Sequence, residues 1–109
     1  MTHHENLPIA CVVDALTPDA RELSARLRER LGKSVEETKE EAEGYSFKLR
    51  PDAGLFRDTA EWITLERLCC PFLSFELSWA GEGSPWLRIA GPEGTKDFLK
   101  AEIPELPQR

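Results

Sequence analysis

The step Cys69-Cys70-Pro71 constrains this chain more than any other three residues. Upstream of it, from Leu55 to Cys70, apolar residues recur at the period of a helix. Downstream, Leu73, Phe75, Leu77 and Trp79 alternate with Ser74, Glu76 and Ser78 at the period of a strand. Proline has no amide hydrogen and pushes the residue before it out of helical geometry, so a helix that reaches Cys70 stops there. Both thiols are thereby placed at a helix-to-strand junction. Winding Leu55 to Cys70 at about 100° per residue puts Leu55, Phe56, Ala60, Trp62, Ile63, Cys69 and Cys70 on one arc, with Glu66 near its middle. The carboxylate is expected to point inward. Glu66 stands three residues before Cys69 and four before Cys70, the spacing at which helical side chains meet, so the three groups are expected to share one pocket.

The rest of the chain supplies a scaffold for that junction. Ile9-Ala10-Cys11-Val12-Val13 is short and β-branched and reads as a strand, with Ile9, Cys11 and Val13 on one face. Thr17 as N-cap and Pro18 at the first helical position open a helix that Gly32 is expected to end, with Ala20, Leu23, Leu27 and Leu31 as its buried stripe. Arg21, Arg26, Arg28 and Arg30 interleave with Glu22 and Glu29 and read as a solvated face with ion pairs. Val35 to Glu43 reads as a polar edge strand, and Tyr45, Phe47 and Leu49 mark a better-defined one. Pro51-Asp52-Ala53-Gly54 breaks the chain before the second helix. Gly81-Glu82-Gly83-Ser84 turns a hairpin whose return strand is Trp86 to Ala90, and Gly91-Pro92-Glu93-Gly94 opens a short helix carrying Phe98, Leu99 and Ile103.

The order β-α-β-β-α-β-β-α begins with the split βαβ (ferredoxin-like) pattern. An α+β fold follows, with an antiparallel sheet, helices on one face, and an additional C-terminal strand and helix extending the sheet's edge. Such a sheet seats the first strand beside the one after Pro71 and brings Cys11 within reach of Cys69 and Cys70. At 109 residues one domain is expected, over 1–109, with 1–6 and 104–109 loose and the His3-His4 pair part of a solvated tail.

Composition narrows the function classes. A net charge of −6 argues against a nucleic-acid partner, which favours a basic face. No run approaches the roughly 18 apolar residues of a membrane span, and the first residues lack the basic and apolar regions of a signal peptide. The cytoplasm is the expected compartment. Three cysteines, two of them adjacent, make a poor disulfide framework and fit reduced thiols. The only histidines are terminal and Ser74 and Ser78 fall on exposed strand positions, so no hydrolytic triad is expected.

The phrase Glu66-Arg67-Leu68-Cys69-Cys70-Pro71-Phe72-Leu73-Ser74-Phe75-Glu76-Leu77, followed by Trp86 to Gly94, resembles an uncharacterised family of small bacterial proteins. It also resembles the C-terminal segment of some regulators of the mercury-resistance (MerR) type. With Ala15-Leu16-Thr17 and Gly44-Tyr45 at similar places, the resemblance spans most of the chain. What it implies is a metal- or thiol-sensing association attached to Glu66, Cys69 and Cys70. There is no recognisable helix-turn-helix segment, so DNA binding is not carried over.

Three readings of the thiols follow. In the first they bind a metal ion, zinc or a softer thiophilic ion, with Cys69, Cys70 and Cys11 as sulfur donors and Glu66 as oxygen donor or proton acceptor. Adjacent cysteines depart from the usual zinc spacing of about two to four intervening residues. In the second the thiols do redox chemistry. Neighbouring Cα atoms lie about 3.8 Å apart, below the roughly 4.4 Å at which ordinary disulfides begin, so a Cys69–Cys70 bridge would be strained. A helix C-terminus also disfavours thiolates. In the third the cysteines are small core residues of a structural or interaction subunit. Leu65 and Leu68 lie off the inward arc and are expected to cover a second subunit or the C-terminal segment. None of the three requires an enzyme.

Overall fold

In the computed structural model, which describes residues 9 to 107, helices α1 (Pro18–Lys33), α2 (Ala53–Cys69) and α3 (Thr95–Glu102) pack over one face of an antiparallel sheet. Its strands are β1 (Val35–Glu41), β2 (Gly44–Leu49), β3 (Ser74–Trp79) and β4 (Pro85–Ala90), in the order β1-β2-β4-β3. This is the α+β, split-βαβ type of sheet that the pattern predicts. The core joins Tyr45, Phe47, Leu49, Leu87 and Ile89 of the sheet to Leu31, Leu55, Trp62 and Leu99 of the helices and to Ile103, which caps α3. Leu73, Phe75 and Leu77 join the same core as Leu23, Leu27 and Ile63, while Glu76 and Ser78 are exposed. None of the helices among the described residues is long and apolar enough to cross a membrane.

The first strand is a correction. Residues 9–12 are irregular and Val13–Ala15 forms a single 3-10 turn. The segment is held to α2 through Val12 N–H donating to the Cys69 carbonyl at 2.7 Å, not through a ladder. The slot beside β3 that this segment was expected to take is filled by β4. A turn of a few residues delivers β4 directly alongside β3, whereas a strand from the chain start would have to close a loop of some sixty residues, at a greater entropic cost. The strand expected at an extended edge is thus interior, with Leu87 and Ile89 fully buried.

Local chemistry sets the element ends. Thr17 accepts from Ala20 N at 3.1 Å and Asp52 from Leu55 N at 3.0 Å, each satisfying a helix-start donor. Gly32 does not end α1, which continues through Lys33. Its lack of a side chain matters instead for the C-terminal segment, because a Cβ there would stand 2.3 Å from the Glu105 carbonyl oxygen. Residues 104–107 are accordingly not loose: Leu106 is buried, and Thr38 Oγ1 donates to the Pro107 carbonyl at 2.6 Å. The expectations for residues 1–6, the His3-His4 pair and residues 108–109 lie outside the described residues. On α2 the buried side chains are Leu55, Thr59, Trp62 and Glu66, so Thr59 takes the place expected for Ala60, which is exposed. Leu65 is half-buried against the core, and Leu68 is 42% exposed.

Candidate functional site: the thiol cleft at the end of α2

Pro71 ends α2 as expected, and Cys70 caps it with backbone angles of φ −126° and ψ 73°. Its N–H still donates to the Glu66 carbonyl at 2.8 Å. Leaving helical geometry turns the Cys70 side chain inward, where it is completely buried. Cys69, one position earlier, is half-buried and opens on a cleft of about 410 Å³. That cleft is bounded by Cys11, Val12 and Leu16 before α1, by Arg21, Ser24 and Arg28 on α1, and by Glu66 and Cys69 on α2.

Glu66 is 5% exposed and holds the site together. Ser24 Oγ donates to its Oε1 at 3.4 Å, and Cys70 Sγ donates to its Oε2 at 3.5 Å. Burial pushes the Glu66 carboxyl above the ordinary range. The Arg28 guanidinium and the donors Cys70 and Ser24 oppose the rise, and Glu105 adds to it. Burial also pushes the Cys70 thiol well above its ordinary value, helped by the Glu66 carboxylate and by Cys11, which stands close enough for the two thiols to interact. Cys69 moves the same way, by burial and then by Glu66 and Cys11, with Arg21 and Arg28 pulling back. Cys69 and Cys70 therefore hold their protons at rest, and Glu66 accepts the hydrogen bond from Cys70.

Of the four residues singled out from sequence, Cys11, Glu66 and Cys69 line this cleft; Cys70 does not line it and is buried against Glu66. Cys11 reaches the cleft from an exposed loop, not from a strand. Consecutive side chains at a helix end diverge by about 100°, so Cys69 faces the cleft while Cys70 faces Glu66. Among the described residues no group of three His, Cys, Asp or Glu side chains is set to hold a metal ion.

Sequence reasoning did not find Ser24 and Arg28. The arginine face of α1 is only partly solvated: Arg26 pairs with Glu22 at 3.9 Å, as expected. Arg30 instead pairs with Asp58 of α2. Arg28 lines the cleft and pairs with Glu105, Nε to Oε1 at 3.2 Å, but its buried Nε–H makes no hydrogen bond among the described residues. Ser24 lying inside the Leu23–Leu27 stripe was the available signal, since a polar residue on a buried face needs a partner. The glycine loop before α3 borders a second cleft of about 510 Å³, but Glu43, Glu93 and Asp97 outweigh Lys96 in its lining, which disfavours an anion there.

Compared with protein-family models, curated proteins and solved structures, the chain matches none.

Proposed function

We propose that the cleft binds a soft, thiophilic metal or metalloid ion through the sulfurs of Cys11, Cys69 and Cys70. Glu66 takes up a released thiol proton or supplies an oxygen donor. The observation that carries this reading is the hydrogen bond from Cys70 to a buried carboxylate, with Cys11 against the same sulfur and Cys69 opening on the same cleft. Thiolates prefer soft ions and also bind zinc. A thiol already hydrogen-bonded to a carboxylate has a route for the proton that binding must release. Capture requires the three sulfurs to converge, with the buried Cys70 opening to the ion and the exposed Cys11 loop closing over it. Reduced thiols of this kind belong in the cytoplasm.

The test titrates wild type and Glu66→Gln with Zn²⁺ and with Cd²⁺, reading proton release and protection of the thiols from iodoacetamide. Binding tighter than that of a simple dithiol, weakened in Glu66→Gln while the fold persists, is expected. Affinity no greater than a simple dithiol's, with identical labelling in the two proteins, would remove the reading. A second reading is favoured by the complete burial of Cys70: the thiols fill space in a structural subunit, and Cys70→Ala then lowers stability without changing any binding.

A further inference from the structure

The two edges of the sheet are built differently. The β1 edge carries Glu36, Glu37, Lys39 and Glu40, and its register shifts between Val35 and Glu37, both devices that discourage pairing with another chain. The β3 edge, Ser74–Trp79, has a regular register against β4 and a single charge, Glu76. On the side away from β4, residues 74–79 make no backbone hydrogen bond to any described residue. Their inward side chains are also incompletely covered. Phe75, Leu77 and Trp79 are half-buried, whereas Leu87 and Ile89 on the neighbouring strand are fully buried. Phe56 of α2 packs on Trp79 with ring centroids 5.2 Å apart and is itself half-buried, which carries the apolar strip up onto the helix.

We propose that two copies of this chain pair through their β3 edges, antiparallel about a two-fold axis at Leu77. The sequence of the strand is complementary to itself in that register. Leu77 meets the partner's Leu77, and Phe75 meets the partner's Trp79 twice, an aromatic cross-strand pair of the kind that stabilises sheets. On the outer face Glu76 meets the partner's Ser78, so the strand's one charge never faces itself. A register centred on Glu76 would put the two carboxylates opposite each other. The two-fold is perpendicular to the sheet, so both α2 helices stay on one side and their Phe56 flanks approach, giving an isologous interface that closes at two subunits. The negative β1 edge cannot extend the assembly further. This pairing rests on residues other than those of the thiol cleft.

Sedimentation velocity of the full chain over a concentration series tests it, with Ser78→Glu and Ser78→Lys, both at an exposed position, and with a urea melt of each variant to show that it folds. A dimer is expected. Ser78→Glu, facing Glu76 twice, should weaken it by roughly threefold or more, and Ser78→Lys should tighten it to a similar degree. Amide exchange within 74–79 should slow as concentration rises. A monomer at every concentration, or a dimer that neither substitution moves, would overturn the proposal.

Discussion

Glu66 is legible in the sequence because the helical period of α2 puts it among apolar neighbours, and a carboxylate in that position needs donors. Ser24, which supplies one, is 42 residues away on another helix, so no local spacing announces it. The raised carboxyl has a definite consequence for stability. The folded chain holds the Glu66 proton more tightly than the unfolded chain does, so this group's contribution is complete below the ordinary carboxylate range. It is lost as pH rises through the raised value. Relative to wild type, Glu66→Gln should therefore gain stability between an acidic pH in the ordinary carboxylate range and a pH above the raised value. Urea unfolding at the two pH values measures this, and a constant difference would contradict it. The thiols should also rank. Cys11 is exposed, Cys69 half-buried and Cys70 buried with its proton held, so iodoacetamide should modify them in that order, with Cys70 reacting only as the chain opens. Cys70→Ala removes a packed sulfur and the hydrogen bond to Glu66, and should cost about 1–3 kcal/mol.

At the scale of elements, those with two agreeing signals were readable. The first helix had a cap, a following proline and a stripe, and the β3–β4 hairpin had strict alternation around a glycine turn. The segment from Ile9 to Val13 had β-branched residues alone, and a strand without a short connection to a neighbour has to be recruited across the chain. Here β4 takes the place through its hairpin. Gly32 shows the converse, a glycine read as a helix stop that is instead required by the close approach of Glu105. Two substitutions probe these local causes. Thr17→Ala removes the oxygen that caps Ala20 N and should cost about 1 kcal/mol. Gly44→Ala sets a Cβ 1.9 Å from the Ile89 carbonyl oxygen, across the β2–β4 ladder. It should cost about 1–3 kcal/mol or more, since backbone on both sides has to move. Thermal melts of the two variants should show the second far more affected. The reverse order would mean that β2 and β4 do not approach as closely as described.

Over the whole molecule, the C-terminal segment ties the sheet to the thiol cleft, and two late prolines concealed this in the sequence by suggesting a loose tail. Pro104 and Pro107 prevent helix or strand but do not prevent packing. Leu99, Ile103 and Leu106 are each 1% exposed, and they belong to the same core cluster as Leu27 and Leu31 of α1 and Tyr45, Phe47 and Leu49 of β2. Between them, Glu105 reaches the Arg28 guanidinium that faces Glu66. The tail thus contributes to the core and, through one charge, to the electrostatics of the site. Leu106→Ala should cost about 2–4 kcal/mol, the range for deleting a buried leucine side chain, seen as a lower urea midpoint with an unchanged slope. Cys70 lies in the same core cluster as Leu106, so its labelling should accelerate by the factor that the lost stability implies, because both report the same opening. Glu105→Gln separates the two roles: it leaves the leucines in place and removes a charge that raises the Glu66 carboxyl. The pH dependence contributed by Glu66 should shift to lower pH in that variant while the urea midpoint at low pH stays near wild type. A Leu106→Ala loss below about 1 kcal/mol, the size expected of a surface change, together with an unmoved Glu66 titration in Glu105→Gln, would mean that the tail lies on the surface and that the cleft is organised by α1 and α2 alone.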